Sequence, residues 1–518
     1  MSATITRPAA AAGDELTVFK VEHPEGTAIS YDLEVLCKKL GVDDPGRLVV
    51  ETQGRHGLIM VYPRNPLAEI RAVTRADLVM DQHGRFITGL FHNGQPVRKR
   101  LFDPTTGSAQ RFALFGTTGA GKSKALQLQL IAEKVNKICT WLADLKEGQS
   151  VPEAEGNVDW RATTQEGALL VLIAAVKVAL ARMRRYSAMG RNAFVLGEDP
   201  LLHVWIDEAN RLLERGAPYR ALATRLIKEL GRTGRSVGVG IGIAAQASHL
   251  EELGGSDTLR AMIKEGEVTL LRWTASMMRQ LVADGILPVG AQLVPIPKTL
   301  APTVLRSPFD VAEDDGDAPG TQGMAYYLSG ARPTALMRHL RLGSIAPLKG
   351  KDPEILALYG DEEPRRLEDA SVQAIGGEDA IEHIAYALRD DGPAFDALCE
   401  QFRKTQQQRS AAKTGRRGAA APADADDHAG DDYDDGEDGE DGEEDDVTLP
   451  PASLEDRILA VLEDAEAPMT AGAIWEAVNA DGGRQIKALN SVRNALKRLS
   501  TEDGPVAKHE RGQYALAT

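Results

Sequence analysis

Cysteine is scarce in this chain. Cys37, Cys139 and Cys399 are the only three in 518 residues, and their spacing fits neither a zinc knuckle nor a disulfide framework. They read as buried, reduced thiols of an intracellular protein. Long apolar runs are missing as well. The longest, Ala168 to Val176, stops at Lys177, far short of the ~20 residues that cross a bilayer. The N-terminus, MSATITRPAAAAGDEL, lacks the charged-then-apolar layout of a leader, so residues 1–15 read as a loose polar tail. Internal repeats are absent. Basic charge is absent from one stretch only: Asp424 to Asp446 holds fifteen acidic residues and no Lys or Arg. Removing those fifteen from the net charge of −16 leaves −1. The remainder is near neutral and free to carry local basic faces.

A length of 518 residues exceeds one hydrophobic core and predicts two to four domains. Residues 16–95 mix short alternating runs (LTVFKV, RLVVETQ, HGLIMVYP) with one helical stretch, DLEVLCKKLG, and read as a small α/β domain. Across residues 96–345, strand-like runs alternate with longer helical ones: RFALFG, KICTWLAD, LLHVWIDEA, VGVGIGIAAQ, VTLLRW, MAYYLSG. Such alternation predicts a mainly parallel sheet covered on both faces. Residues 346–402 read as helical, without a legible purpose. Residues 403–450 are basic first and acidic afterwards, with almost nothing to bury, and read as a disordered linker spanning roughly 35–40 Å. Periodic apolar spacing resumes over residues 451–518.

The segment FGTTGAGKSKAL carries the first chemistry. Gly116, Thr117, Thr118, Gly119, Ala120, Gly121, Lys122 and Ser123 match G-x-x-x-x-G-K-[ST] completely, between an apolar strand and a helix that opens at Lys124. Glycines there let successive N–H groups turn toward one anion, and the helix N-terminus adds partial positive charge. These residues together with Lys124 are the expected nucleotide cradle, for ATP. Lys122 reaches the β- and γ-phosphates and Ser123 holds Mg²⁺. The run LLHVWIDEAN ends in Asp207-Glu208, an acidic pair fit to hold the Mg²⁺ shell (Asp207) and to polarise the attacking water (Glu208). Gln246, at the tip of VGVGIGIAAQ, is placed to sense the γ-phosphate, although a capping amide is an equal reading.

Several of these blocks together resemble the FtsK/SpoIIIE class of double-stranded-DNA translocases within the wider HerA-like group. The resemblance runs over about residues 50–342 and rests on FGTTGAGKSKAL, WLADLKEG, RMRRYSAMGRNAF and GRSVGVGIGIAAQ in that order, with GLIMVYPRNP and HGRFITG ahead of them. It implies a RecA-like α/β motor that assembles as a ring, usually a hexamer, threads duplex DNA and hydrolyses ATP at subunit interfaces. It implies an arginine supplied in trans, for which Arg272 is the nearest candidate, with Arg235 and Arg232 behind it. Many members carry transmembrane helices, and none is read here. That points to a soluble, cytoplasmic form like the plasmid- and conjugative-element-transfer members, any membrane docking going through a partner.

Near the C-terminus, Leu454, Ile458, Leu459 and Leu462 share one helix face, Thr470 marks a second helix, and Leu489, Val492, Leu496 and Leu499 line a third. GPVAKHERGQYAL follows as strand, turn, strand. Three helices and a hairpin resemble a winged helix. Between Arg484 and Arg511 lie seven Lys/Arg against three Asp/Glu. Asn490, Arg493, Asn494 and Lys497 are candidates for reading bases, and Lys487, Arg498, Lys508 and Arg511 for meeting phosphate. A winged helix used for protein contacts stays open. So do two rivals for the whole chain: a nucleotide-switched DNA-binding regulator or assembly protein, and a motor acting on protein or single strands.

Overall fold

The structure is a computed structural model that describes residues 4–6, 16–22, 29, 31–53, 56–246, 266–272, 296–299, 320–329, 335–346, 348–417, 458, 461–462, 469–480, 489–500, 506–509 and 513–516. The chain divides into two units, residues 1–421 and 422–518.

The first unit opens with an antiparallel sheet of β1 (Thr4–Thr6), β2 (Thr17–Glu22), β3 (Leu48–Gln53) and β4 (His56–Val61), in the order β1-β2-β4-β3. Phe19, Val21, Leu48 and Ile59 pack with Cys37 of α1 (Leu33–Leu40) into a small core of their own. Asp32 caps α1 by accepting from the Val35 N–H.

The main sheet is built from β5 (Arg85–Phe91), β6 (Pro96–Arg100), β9 (Arg111–Gly116), β10 (Cys139–Asp144), β11 (Trp160–Ala162), β12 (Leu202–Asp207), β13 (Val239–Ala245), β14 (Glu267–Leu271), β15 (Met324–Ser329) and β16 (Ala335–His339). The two-residue strands β7 (Phe102–Asp103) and β8 (Ser108–Ala109) form a separate ribbon. The order of the main sheet is β11-β10-β12-β13-β9-β14-β15-β16-β5-β6. The six strands from β11 to β14 run parallel. The remaining four extend the sheet antiparallel. The boundary expected at residue 95 therefore falls inside a hairpin of this sheet. The alternating run of β5 looks like those of the small domain, and only its pairing to β16, far along the chain, assigns it and its partner β6 to the main sheet.

Every residue of β10, β12 and β13 is buried, as expected of strands covered on both faces. The glycines of VGVGIG follow from that crowding: a Cβ on Gly242 would overlap the Trp205 indole on the neighbouring strand. Three helices cover the sheet: α2 (Lys122–Val135), α3 (Gln165–Ala188) and α5 (Arg220–Thr233), with the short α4 (Asn210–Leu213) ahead of α5. A fully buried carboxylate pins α2 to the sheet. Glu133 accepts from Trp205 Nε1 at 2.9 Å and Thr140 Oγ1 at 2.8 Å, and lies 2.8 Å from His203 Nδ1.

Residues 353–417, whose purpose the sequence does not reveal, form helices at Pro353–Tyr359, Asp369–Ala374, Ile381–Ala387 and Gly392–Arg417 that strap the core of the first unit. Tyr359 accepts from Gln127 of α2 at 3.0 Å, and Glu368 binds Arg182 of α3. Arg366, Tyr386 and Arg389 converge on the buried Asp159. Arg403 binds Glu166 at 2.8 Å. Residues 403–417 thus belong to a helix anchored on the first unit, where a disordered linker was expected from polar composition. Gln, Arg, Ala and Lys are good helix formers once one end is fixed. The acidic run lies outside the described residues.

In the second unit, helices Ala471–Ala480 and Leu489–Leu499 pack beside an antiparallel sheet of β17 (Met469–Thr470), β18 (Val506–His509) and β19 (Gln513–Leu516), in the order β17-β19-β18. Ile458, Leu462, Ile474, Val478, Val492, Ala495 and Leu496 make its core. Thr470 caps the helix it precedes, accepting from the Ala473 N–H.

Candidate functional site

Five neighbouring parallel strands, β10-β12-β13-β9-β14, end on the same edge of the main sheet. Their C-terminal tips carry the candidate residues, the edge where open α/β sheets hold ligands.

The loop from Gly116 to Lys122 leaves β9 and enters α2. Gly121 has φ +100°, and a Cβ there would lie 3.0 Å from the Gly323 nitrogen. A positive φ and close backbone together demand glycine. The turn is fastened by Ala120 N–H to Thr117 O (3.1 Å) and by Gly323 N–H to Ala120 O (2.9 Å). Thr118 and Gly119 are exposed at its crest, and Ser123 is half-buried in the first turn of α2. Lys124 points away, its Nζ 3.8 Å from Asp352 Oδ2.

Lys122 is 7% exposed and bonds both members of the acidic pair: Asp207 Oδ1 at 2.8 Å and Glu208 Oε2 at 3.0 Å. Asp207 is fully buried at the end of β12, where its Oδ1 also accepts the Glu208 N–H. Its Oδ2 has no partner, so one face of the carboxylate is left for a cation or its water shell. Glu208 sits in the left-handed region at φ +55°, the kind of strain held at functional sites. Gln246 at the tip of β13 donates to Glu208 Oε1. Burial works to raise the Glu208 carboxyl, but Lys146 and Lys122 outweigh it and hold the group below the usual carboxylate range. Burial works to lower the Lys122 ammonium, and Asp207 and Glu208 outweigh that too, keeping it above its ordinary value.

No protein-family model matches the sequence, and no curated protein does. Among solved structures, the pCW3 conjugation coupling protein TcpA, in monomer form with ATPγS, is similar at 14% identity and a TM-score of 0.41, over 66% of this chain and 89% of that one. The cytoplasmic domain of the Thermomonospora curvata type VII secretion ATPase EccC is similar at 19% identity and a TM-score of 0.41, over 57% of this chain and 33% of that one. EssC (ATPases 2 and 3) from Geobacillus thermodenitrificans is similar at 13% identity and a TM-score of 0.37, over 66% and 52%. At these values the likenesses decide neither fold nor activity.

Lys146 belongs to the site although the sequence reading gave it no role. Its Nζ lies 2.8 Å from Glu208 Oε2. Asp144 at the end of β10 aims it: the Asp144 carboxylate accepts from the Lys146, Ser150 and Val151 N–H groups and shapes the turn. The D-x-K spacing in WLADLKEG was the available signal. Arg272, expected at a neighbour's site, lies against its own loop at the tip of β14. Arg232 and Arg235 precede β13 and so lie at the opposite edge of the sheet.

In the second unit, Arg493 and Lys497 are exposed one turn apart on helix Leu489–Leu499. Asn490, Asn494 and Arg498 lie on that helix, and Lys508 on β18. Lys487 and Arg511 lie outside the described residues. No group of three or more His, Cys, Asp or Glu among the described residues is arranged to hold a metal alone. A cation shared between protein and phosphate needs fewer protein ligands.

Proposed function

We propose that the chain is an ATP-driven motor of the FtsK/SpoIIIE kind that moves double-stranded DNA as a ring, a hexamer, in the cytoplasm during plasmid or conjugative-element transfer. The observation that carries the hydrolytic half is Lys122 held between Asp207 and Glu208 at the mouth of a complete phosphate loop. A triphosphate on the loop gives Lys122 a third anionic partner. Ser123 and the unpartnered Asp207 Oδ2 fit Mg²⁺, which when bound neutralises charge on the β- and γ-phosphate oxygens. Glu208 accepts the proton of the attacking water, and Gln246 fixes the orientation of that carboxylate.

The DNA half is supported by the sequence resemblance and by the second unit. Among its described residues, helices Ala471–Ala480 and Leu489–Leu499 and the three-stranded sheet fit a winged helix, with Arg493 and Lys497 exposed on the helix that would enter the major groove.

ATP hydrolysis with duplex, single-stranded DNA or neither tests the reading. Duplex is expected to stimulate the wild-type rate. Glu208→Gln is expected to bind ATP yet lose at least ~100-fold in turnover. Equal rates with and without duplex would refute the motor and leave a nucleotide switch.

A further inference from the structure

Arg272 is an unusual arginine. Its side chain is 7% exposed. Its backbone sits at φ +43°, in a region that L-residues other than Asn, Asp and Gly rarely enter. The tip of β14 is held there by the Arg272 N–H donating to Met324 O at 3.1 Å. Nε donates to the buried Thr321 Oγ1 at 3.2 Å. Nη2 is buried without a partner. The other fork nitrogen, Nη1, faces the crest of the phosphate loop, 3.7 Å from where a Cβ on Gly119 would stand. Burial pulls the guanidinium below its ordinary pKa.

A buried guanidinium with an unsatisfied N–H is costly unless an anion completes it. A place for one lies over Gly119, where the loop's N–H groups and the start of α2 already favour phosphate. Reaching a neighbouring subunit would take the side chain away from both Thr321 and Gly119.

We infer that Arg272 is a cis-acting phosphate ligand, contacting the terminal phosphates of the nucleotide bound by its own subunit. The inference rests on the proposed nucleotide site. The strained backbone then has a purpose, turning the side chain back from the strand tip onto the loop. The fork spans Thr321 on one side and phosphate oxygens on the other, a geometry that Lys does not reproduce. Any arginine acting in trans is another residue.

The test has two arms. In the first, binding of a fluorescent ATP analogue and of its ADP counterpart is measured at concentrations where sedimentation shows a monomer. Arg272→Gly removes the fork while suiting the positive φ, and Arg272→Lys keeps the charge. Both should bind the triphosphate about 10- to 100-fold more weakly than wild type, with a smaller loss for the diphosphate. Unchanged triphosphate affinity in a folded Arg272→Gly monomer overturns the inference. In the second arm, Arg272→Gly and Lys122→Ala chains are co-assembled. A trans arginine would restore about a quarter of the wild-type ATPase, because random mixing pairs an intact site with an intact neighbouring arginine at one interface in four. That recovery also overturns the inference, and its absence in verified mixed assemblies supports it. Should the wild-type chain bind neither nucleotide, or Lys122→Ala bind as well as wild type, the nucleotide site itself fails. That pattern is distinct from an Arg272 variant that leaves a working site unchanged.

Discussion

The contact between Arg182 and Glu368 gives the sharpest measurable consequence of the strap. Arg182 is fully buried in α3. Its Nη2 donates to Glu368 Oε2 at 2.7 Å and to Pro200 O at 2.9 Å, and its Nε to Glu368 Oε1 at 3.0 Å. Its Nη1 lies 3.3 Å from both Val237 O and Gly238 O. One guanidinium therefore joins the strap, the loop before β12 and the loop before β13. Arg182→Met keeps most of the volume but strands three carbonyls and leaves the Glu368 carboxylate only Arg185 and Ser371. Removing one partner of a buried pair costs ~3–5 kcal/mol. The Glu368 side chain keeps 15% exposure, which places the cost near the low end, at about 3 kcal/mol. Glu368→Gln preserves the shape and loses the charge, for about 1–2 kcal/mol. The pair shares one interaction, so the double variant should be less destabilised than the sum by at least about 1 kcal/mol. Urea unfolding followed by tryptophan fluorescence reads all four corners of the cycle, with unchanged m-values confirming the same transition. A cost below about 1 kcal/mol for Arg182→Met, or additivity within about 0.5 kcal/mol, would refute the strap as part of the folded first unit.

Other consequences are as direct. Lys146→Met removes a cation from Glu208, so the base's pKa should rise and the acid limb of the kcat/KM profile should move to higher pH; an unmoved limb rules out electrostatic control by Lys146. Glu267 is buried, and that burial raises its carboxyl to about 7 against the pull of Lys99. Its folded pKa lies above the unfolded value, so its contribution is full below the ordinary 4.5 and fades as pH rises through about 7. Wild type should therefore lose stability relative to Glu267→Gln between about pH 5 and 8 in thermal melts, and a flat difference would refute the assignment. Arg493→Ala and Lys497→Ala should each weaken duplex binding. A contact to phosphate lowers the salt slope by about 1, and a contact to a base relaxes sequence preference instead.

What the sequence disclosed and what it withheld divide along a physical line. The phosphate loop, the Asp207-Glu208 strand end and the apolar strands were legible because each is local: a spacing, a period, a strand boundary. The capping role of Thr470 was legible for the same reason. Strand order was not, since it depends on pairings across hundreds of residues. The boundary expected at residue 95 consequently cuts between β5 and β6, because the pairing of β5 with β16 has no local signal. The helices of residues 353–417 were visible as helices but not as a strap. Their partners, Arg182, Asp159 and Glu166, lie about 190 to 240 residues earlier in the chain.

The same line explains why Lys146 and the orientation of Arg272 escaped. Each site residue follows a different strand: Lys146 after β10, Asp207 and Glu208 on β12, Gln246 on β13, the loop on β9, Arg272 on β14. Those strands are consecutive neighbours in the sheet, in an order that differs from their order in the chain. The site is a row of strand tips. Lys146 and Gln246, reaching it from either side of β12, both end on the Glu208 carboxylate. A sideways shift of β10 or β13 against β12 alters what holds that carboxylate without touching the loop. On the proposed function, nucleotide binding at these tips and strain in the sheet bias one another, because linkage between equilibria is reciprocal. A motor needs that coupling, and a bare nucleotide-binding loop lacks it.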